Sequence, residues 1–96
     1  MKHYVVVYDI TNTRRRNRLS RWLLNFAYRV QYSVFEMKLD EPTMKVVLAG
    51  IERHLNKKED SVIIYELDSK DWKKKILLGL QTPERDLYDK DFVILG

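Results

Sequence analysis

Apolar residues run along this chain in short blocks, and the period of those blocks changes from element to element. His3-Tyr4-Val5-Val6-Val7-Tyr8-Asp9 is dense in β-branched and aromatic residues and stops at an acid before a Thr/Asn cluster, which predicts a buried strand. Thr11-Asn12-Thr13 then offers N-caps for a helix whose stripe is Arg15, Leu19, Trp22, Leu23 and Phe26. Arg14, Arg18 and Arg21, at spacings of four and three, share a face away from that stripe. The helix therefore has an apolar side and an arginine side, and its N-terminus follows directly on the strand that ends at Asp9.

Tyr28 to Asp40 reads as one long strand through Val30, Tyr32, Val34, Phe35, Met37 and Leu39, with a bend or bulge expected near Ser33 to Phe35, where Val34-Phe35 breaks the alternation. Pro42 opens a second helix with Met44, Val47, Leu48, Ile51 and Leu55 as its buried stripe, slightly weakened by Gly50. After the charged turn Asn56 to Asp60, Ser61 to Leu67 reads as a central strand on its Val62-Ile63-Ile64-Tyr65 content. Lys70 to Leu80 fits either a short basic helix running into an apolar segment or a turn and a strand. Gln81 to Lys90 suits a linker, and Phe92-Val93-Ile94-Leu95 a terminal strand that completes its own sheet or adds to a partner's edge. The alternation of strands and helices favours an α+β ferredoxin-like sandwich, β-α-β-β-α-β, in one domain over residues 1–96, the size of an ordinary single domain. One strand of that pattern is not visible, because no two-residue turn signal interrupts Tyr28 to Asp40.

Composition narrows the function. With no Cys, thiolate metal sites, cysteine nucleophiles and disulfides are excluded, and a reducing cytoplasm is the expected compartment. Neither a signal peptide nor a membrane span is expected, since the apolar runs fall far short of the roughly 20 residues a span needs. Gly at 50, 79 and 96 only rules out the glycine-rich phosphate loops. The net charge of +4 is unevenly placed: residues 1–38 carry eight Lys and Arg against two acids, and residues 39–96 ten against twelve. That asymmetry points the first half toward a polyanion, nucleic acid or an anionic membrane surface, the plain alternative being a solvated helix face.

Few residues offer chemistry. His3 and His54 lie on different elements without a motif and read as surface residues. Tyr8-Asp9 at the end of the first strand is different, because Arg14 to Arg18 follow within a turn of helix. A strand-end acid alone is commonly a cap or turn residue. Beside arginines and a helix N-terminus that hold phosphate, an acid that holds a divalent cation is what metal-assisted phosphodiester chemistry requires. Mg²⁺ is usually held by one or two carboxylates with waters and phosphate oxygens, so one Asp9 per chain suffices only if two copies meet across a dimer axis.

The segments Tyr4-Val5-Val6-Val7-Tyr8-Asp9-Ile10-Thr11, Arg14-Arg15-Arg16-Asn17-Arg18, Tyr28-Arg29-Val30-Gln31-Tyr32-Ser33-Val34-Phe35-Glu36 and Asp60-Ser61-Val62-Ile63-Ile64-Tyr65 resemble the CRISPR-associated protein two family. The likeness spans most of the first 67 residues, and R-V-Q-x-S-V-F-E about twenty residues after Y-D-I is specific to it. The resemblance implies a ferredoxin-like homodimer that works with the CRISPR integrase in capturing new spacers. Some members are described as Mg²⁺-dependent endonucleases on RNA or DNA, and others as scaffolds. It implies Asp9 as the metal-binding acid, one from each subunit, and ties Tyr8, Arg16, Arg18, Arg29 and Phe35 to activity. Phe35 also reads as a plain core aromatic. Asn12 and Thr13 stand where the family often has a second acid, which implies a weaker cation site. The C-terminal strand, with the tail 81–96, fits the family's terminal segment that pairs with the other subunit.

Two functions follow from different classes. The first is a Mg²⁺-dependent endonuclease with paired Asp9 side chains. The second is a nucleic-acid-binding adaptor for the integrase, with Arg14, Arg18 and Arg21 on duplex phosphates and no sequence readout. A toxin-like ribonuclease of similar fold is a third alternative. No membrane partner is expected.

Overall fold

The computed structural model describes residues 1–68, 70, 76–78 and 93–95. The elements are β1 (Lys2–Asp9), α1 (Thr13–Leu23), β2 (Ala27–Gln31), β3 (Val34–Leu39), α2 (Glu41–His54), β4 (Ser61–Leu67), β5 (Ile76–Leu78) and β6 (Val93–Leu95). The first six follow β-α-β-β-α-β, and their four strands form an antiparallel sheet ordered β2-β3-β1-β4. This is the ferredoxin-like α+β arrangement expected from the pattern.

The alternation of β1 decides which face is buried. Tyr4, Val6 and Tyr8 point to the helices with Phe35, Met37 and Leu39 of β3, and meet Leu19 and Leu23 of α1 and Met44, Val47 and Ile51 of α2. On the opposite face Ile63 and Tyr65 of β4 stay half exposed, while His3 of β1 and Glu36 of β3 are buried. β4 pairs only with β1 among the described residues and stands at the sheet edge, so its reading as a central strand is corrected. Its Val62 and Ile64 pack under the helices, while Ile63 and Tyr65 account for the apolar content that suggested burial on both sides.

The strand missing from the sequence reading lies inside Tyr28 to Asp40. Gln31 pairs with Val34, so Tyr32-Ser33 is a two-residue turn that divides the segment into β2 and β3. The turn carries no Asn-Gly signal because a tertiary partner holds it: the Tyr8 main-chain N–H donates to the Ser33 carbonyl at 3.1 Å, and the Tyr8 hydroxyl to the Tyr32 carbonyl at 3.1 Å. The bulge falls between Arg29 and Gln31, on the other side of that turn from the expected place.

Both helices start where capping chemistry allows. The Asn12 side chain accepts from the Arg15 N–H at 3.0 Å, and Asp40 from the Thr43 N–H at 2.9 Å with Pro42 in the first turn. The bonds to Thr43 hold the Asp40 carboxyl below its ordinary value. Gly50 is not a mere weakness in α2. A Cβ there would overlap the ring of Trp22, so the glycine lets α1 lie directly on α2. Leu48, placed in the buried stripe by its spacing, instead lines an open groove with Tyr4, Met44 and Ile64, while Leu55 is half buried at the helix end.

Neither histidine is a surface residue. His3 is buried on β1, and His54 is half buried, with Nδ1 at 2.7 Å from the Gly50 carbonyl and its ring 5.7 Å from that of Trp22. Beyond Asp68, Lys70 is helical and residues 76–78 form a strand with which β6 pairs in parallel; the rest of the segment expected as either a basic helix or a turn lies outside the described residues. The C-terminal strand thus has a partner in its own chain, and its pairing with a second subunit belongs to the dimer proposed below. The linker expected over 81–90 lies outside the described residues. No helix among the described residues is long and apolar enough to cross a membrane.

Candidate nucleic-acid cleft

The end of β1, the start of α1 and the β2–β3 turn converge on a cleft of about 160 Å³ lined by Tyr8, Asp9, Ile10, Arg16, Tyr32 and Ser33. Asp9 is the last residue of β1, exposed, and opposite Ser61 in the β1–β4 ladder. Among the described residues its carboxylate has no ion-pair or hydrogen-bond partner, although Arg16 lines the same cleft. Arg16 is held by donation from one terminal nitrogen to the Ile10 carbonyl at 3.3 Å. Its buried Nε has no acceptor among the described residues. A carboxylate and a guanidinium are brought to one cleft without an ion pair between them, and the second terminal nitrogen of the guanidinium makes no hydrogen bond among the described residues.

Tyr8 anchors the cleft from below. Its ring is buried and stacks on Phe35 with centroids 5.9 Å apart, and its hydroxyl fixes the turn. Phe35 is wholly buried, which fits the core reading and places it beneath the site rather than against a ligand. The Arg29 guanidinium lies 5.2 Å from the Phe35 centroid and 5.9 Å from that of Tyr32, so it borders the cleft through aromatic contacts. Of the residues tied to activity by the resemblance, Tyr8, Asp9 and Arg16 line the cleft, Arg29 and Phe35 adjoin it, and Arg18 does not. Arg18 is exposed on α1 with Arg14 and Arg21, as their spacing requires.

Two features escape a reading by spacing. Tyr32 supplies part of the cleft wall, and Arg15 is no member of an apolar stripe. Its Nε and one terminal nitrogen donate to both oxygens of the buried Asp60 carboxylate at 2.9 and 3.1 Å, and that same terminal nitrogen reaches Glu59 at 2.9 Å. The Arg15 guanidinium, with the Asn56 N–H, holds the Asp60 carboxyl below its ordinary value despite burial. This pair ties the start of α1 to the residue before β4, one step from the Asp9–Ser61 pairing. An arginine facing the core beside two acids in the Asn56 to Asp60 turn was the available signal.

One carboxylate in the cleft is less than a protein-built cation cage, and no cluster of three ligating side chains occurs among the described residues. An exposed Asp9 without a partner fits one ligand position of Mg²⁺, whose remaining positions are commonly filled by water and phosphate oxygen.

Fold and site define a small ferredoxin-like domain with an acid-and-arginine cleft at a strand end. The family described as CRISPR associated protein Cas2 matches residues 1–75. A CRISPR-associated endoribonuclease Cas2 of Thermodesulfovibrio yellowstonii is 34% identical over 83 residues, covering 86% of this chain and 88% of that protein. The crystal structure of Streptococcus pyogenes Cas2 superposes with a TM-score of 0.66 at 26% identity, covering 74% of this chain and 90% of that one. A chain of a partial Cas6-RT-Cas1–Cas2 complex superposes at 0.65 with 32% identity, covering 76% of this chain and 80% of that one. The chain belongs to the Cas2 family.

Proposed function

We propose that this chain acts in CRISPR spacer acquisition as a homodimeric, nucleic-acid-binding partner of the integrase, and that it hydrolyses phosphodiesters of RNA or DNA with Mg²⁺ at paired Asp9 carboxylates. The observation that carries the catalytic part is the cleft in which Asp9 and Arg16 sit together unpaired. The naming of relatives as endoribonucleases supports nuclease activity, and the Cas1–Cas2 complex among the structural neighbours supports the integrase as partner. Dimerisation is supported by Ile63 and Tyr65, exposed on the sheet face turned away from α1 and α2, and by the need for a second carboxylate. The expected compartment is the cytoplasm.

Bound Mg²⁺ supplies polarisation of the phosphate and a more acidic water. Asp9 would hold the cation, one carboxylate from each protomer. Arg16 would offer a phosphate oxygen the terminal nitrogen that makes no hydrogen bond among the described residues, and would stabilise charge as it builds on the phosphorane. Arg29 adds positive potential from beyond Tyr32. Tyr8 keeps the turn and strand end in register through its two hydrogen bonds, and Phe35 backs its ring.

The exposed Arg14, Arg18 and Arg21 favour an adaptor role as a second reading, in which α1 lies along phosphates remote from the cleft. Labelled RNA and duplex DNA, incubated with wild type or Asp9→Asn in Mg²⁺ or EDTA, test the first reading. Cleavage that needs both Asp9 and Mg²⁺ is expected. Cleavage surviving in a folded Asp9→Asn dimer refutes the paired-acid site, and an inactive wild type that still binds duplex and retains Cas1 leaves the adaptor alone. Failure to retain Cas1 in a pull-down, with ribonuclease activity intact, selects the toxin-like alternative.

A further inference from the structure

Tyr32 has no part in the core. It is 60% exposed at the tip of the β2–β3 turn, yet it forms one wall of the cleft that contains Asp9. Its place is fixed through the main chain, since its carbonyl accepts from the buried Tyr8 hydroxyl. Two guanidiniums lie over the ring, Arg16 at 5.2 Å and Arg29 at 5.9 Å from its centroid, and one terminal nitrogen of Arg16 makes no hydrogen bond among the described residues. A largely solvent-facing aromatic on a pinned turn, with two cations and a free carboxylate beside it, has the composition of a site for a flat ring that carries phosphates.

We propose that the Tyr32 ring is the stacking platform for one unpaired nucleobase of a single-stranded nucleic acid, with Arg16 and Arg29 taking the phosphates that flank it. The inference rests on the nucleic-acid reading above and adds a selectivity to it. A duplex hides its base faces inside the stack, so only an unpaired or splayed nucleotide gains from the ring, whereas phosphate contacts serve either form. The ring has no hydrogen-bonding edge toward the base and accepts any of the four. It selects strandedness rather than sequence.

The test uses the full chain in EDTA, which holds off cleavage. Binding of short single-stranded RNA and DNA oligonucleotides, and of the matching duplexes, is measured by fluorescence anisotropy across a salt series for wild type, Tyr32→Ala and Tyr32→Phe. For Tyr32→Ala, single-strand affinity is expected to fall about 5- to 150-fold, the range that loss of one base–aromatic stack gives. Because the cations remain, the slope of log K against log salt should be unchanged, and duplex affinity should not move. Tyr32→Phe keeps the ring and should bind within about two-fold of wild type. A single abasic site scanned along the oligonucleotide should weaken wild type at one position by the same factor and leave Tyr32→Ala no weaker there. RNA and DNA are expected to respond alike, as both present the same base faces.

Equal single-strand affinity of wild type and Tyr32→Ala overturns the proposal and leaves the nucleic-acid reading intact. A loss shared equally by duplex and single strand, or accompanied by a smaller salt slope, also overturns it, since the ring would then act only by holding the arginines. A wild type that binds no nucleic acid in any form overturns both.

Discussion

Replacing Gly50 by alanine sets two effects of opposite sign against each other. An alanine inside an exposed helix is favoured over glycine by about 1 kcal/mol. At position 50, however, the added methyl would occupy the space of the Trp22 ring, with three of its ring carbons closer than a real contact allows. The ring has little room to retreat. It packs on Phe26 at 5.0 Å and on His54 at 5.7 Å between centroids, and Leu19 and Leu23 beside it are fully buried. Forcing extra volume into such a contact costs about 1–3 kcal/mol, and expulsion of part of the indole from its site adds to that. The steric term outweighs propensity, and a net loss of about 1–2 kcal/mol is expected for Gly50→Ala, which in a domain of this size lowers Tm by about 5–15 °C. Thermal unfolding followed by circular dichroism measures it, and guanidinium titration on the same samples gives the free energy. The same substitution made in a Trp22→Leu background should cost less or become stabilising, because the overlap is gone and propensity remains. A higher Tm for Gly50→Ala in the wild-type background would refute the close approach of the two helices.

Other outcomes follow from the same geometry. Asp60, held below its ordinary value of 3.8 chiefly by Arg15, keeps its charge in the folded chain where the unfolded chain takes a proton, and Asp40 does so through Thr43. Their contribution is complete above the unfolded carboxylate value and is lost as pH falls through the folded one. Asp60→Asn should therefore be less stable than wild type at neutral pH and show a shallower loss in acid titrations, and parallel curves would refute the Arg15 pairing as the cause. If Arg14, Arg18 and Arg21 lie on duplex phosphates, replacing them with glutamine should reduce the slope of log K against log salt by about 0.9 for each phosphate left without its arginine. An unchanged slope in salt-dependent anisotropy would remove α1 from the duplex surface.

How far the fold was legible depended on whether the determinants were local. β1 and both helices follow from alternation, stripe, the Asn12 cap and Pro42, whereas Asp40 as the cap of α2 comes from the structure. The β2–β3 hairpin was invisible because Tyr8, more than twenty residues upstream, shapes its turn. Burial of β4 was overestimated because hydrophobic content alone does not say which sheet face lacks a cover, and the role of Gly50 depends on a ring brought from another helix. In the site, Asp9, Tyr8 and Arg16 were found by motif and their convergence is geometric fact, while Arg18 shares their segment but not their cleft. Arg15 and Tyr32 carried no motif of their own. One is defined by an acid that arrives with β4, the other by arginines from two different elements.

Both bonds from Tyr8 to the β2–β3 turn end on main-chain oxygens, those of residues 32 and 33. The shape of the cleft wall is thereby uncoupled from the identity of the side chains that stand on it. Sequence drift at position 32 can exchange an aromatic for a cation or a small polar group without breaking either of these bonds, so the single-strand preference proposed for Tyr32 would be open to selection at a single codon. The scaffold beneath, from Tyr8 through Phe35 to the helices, has no comparable freedom.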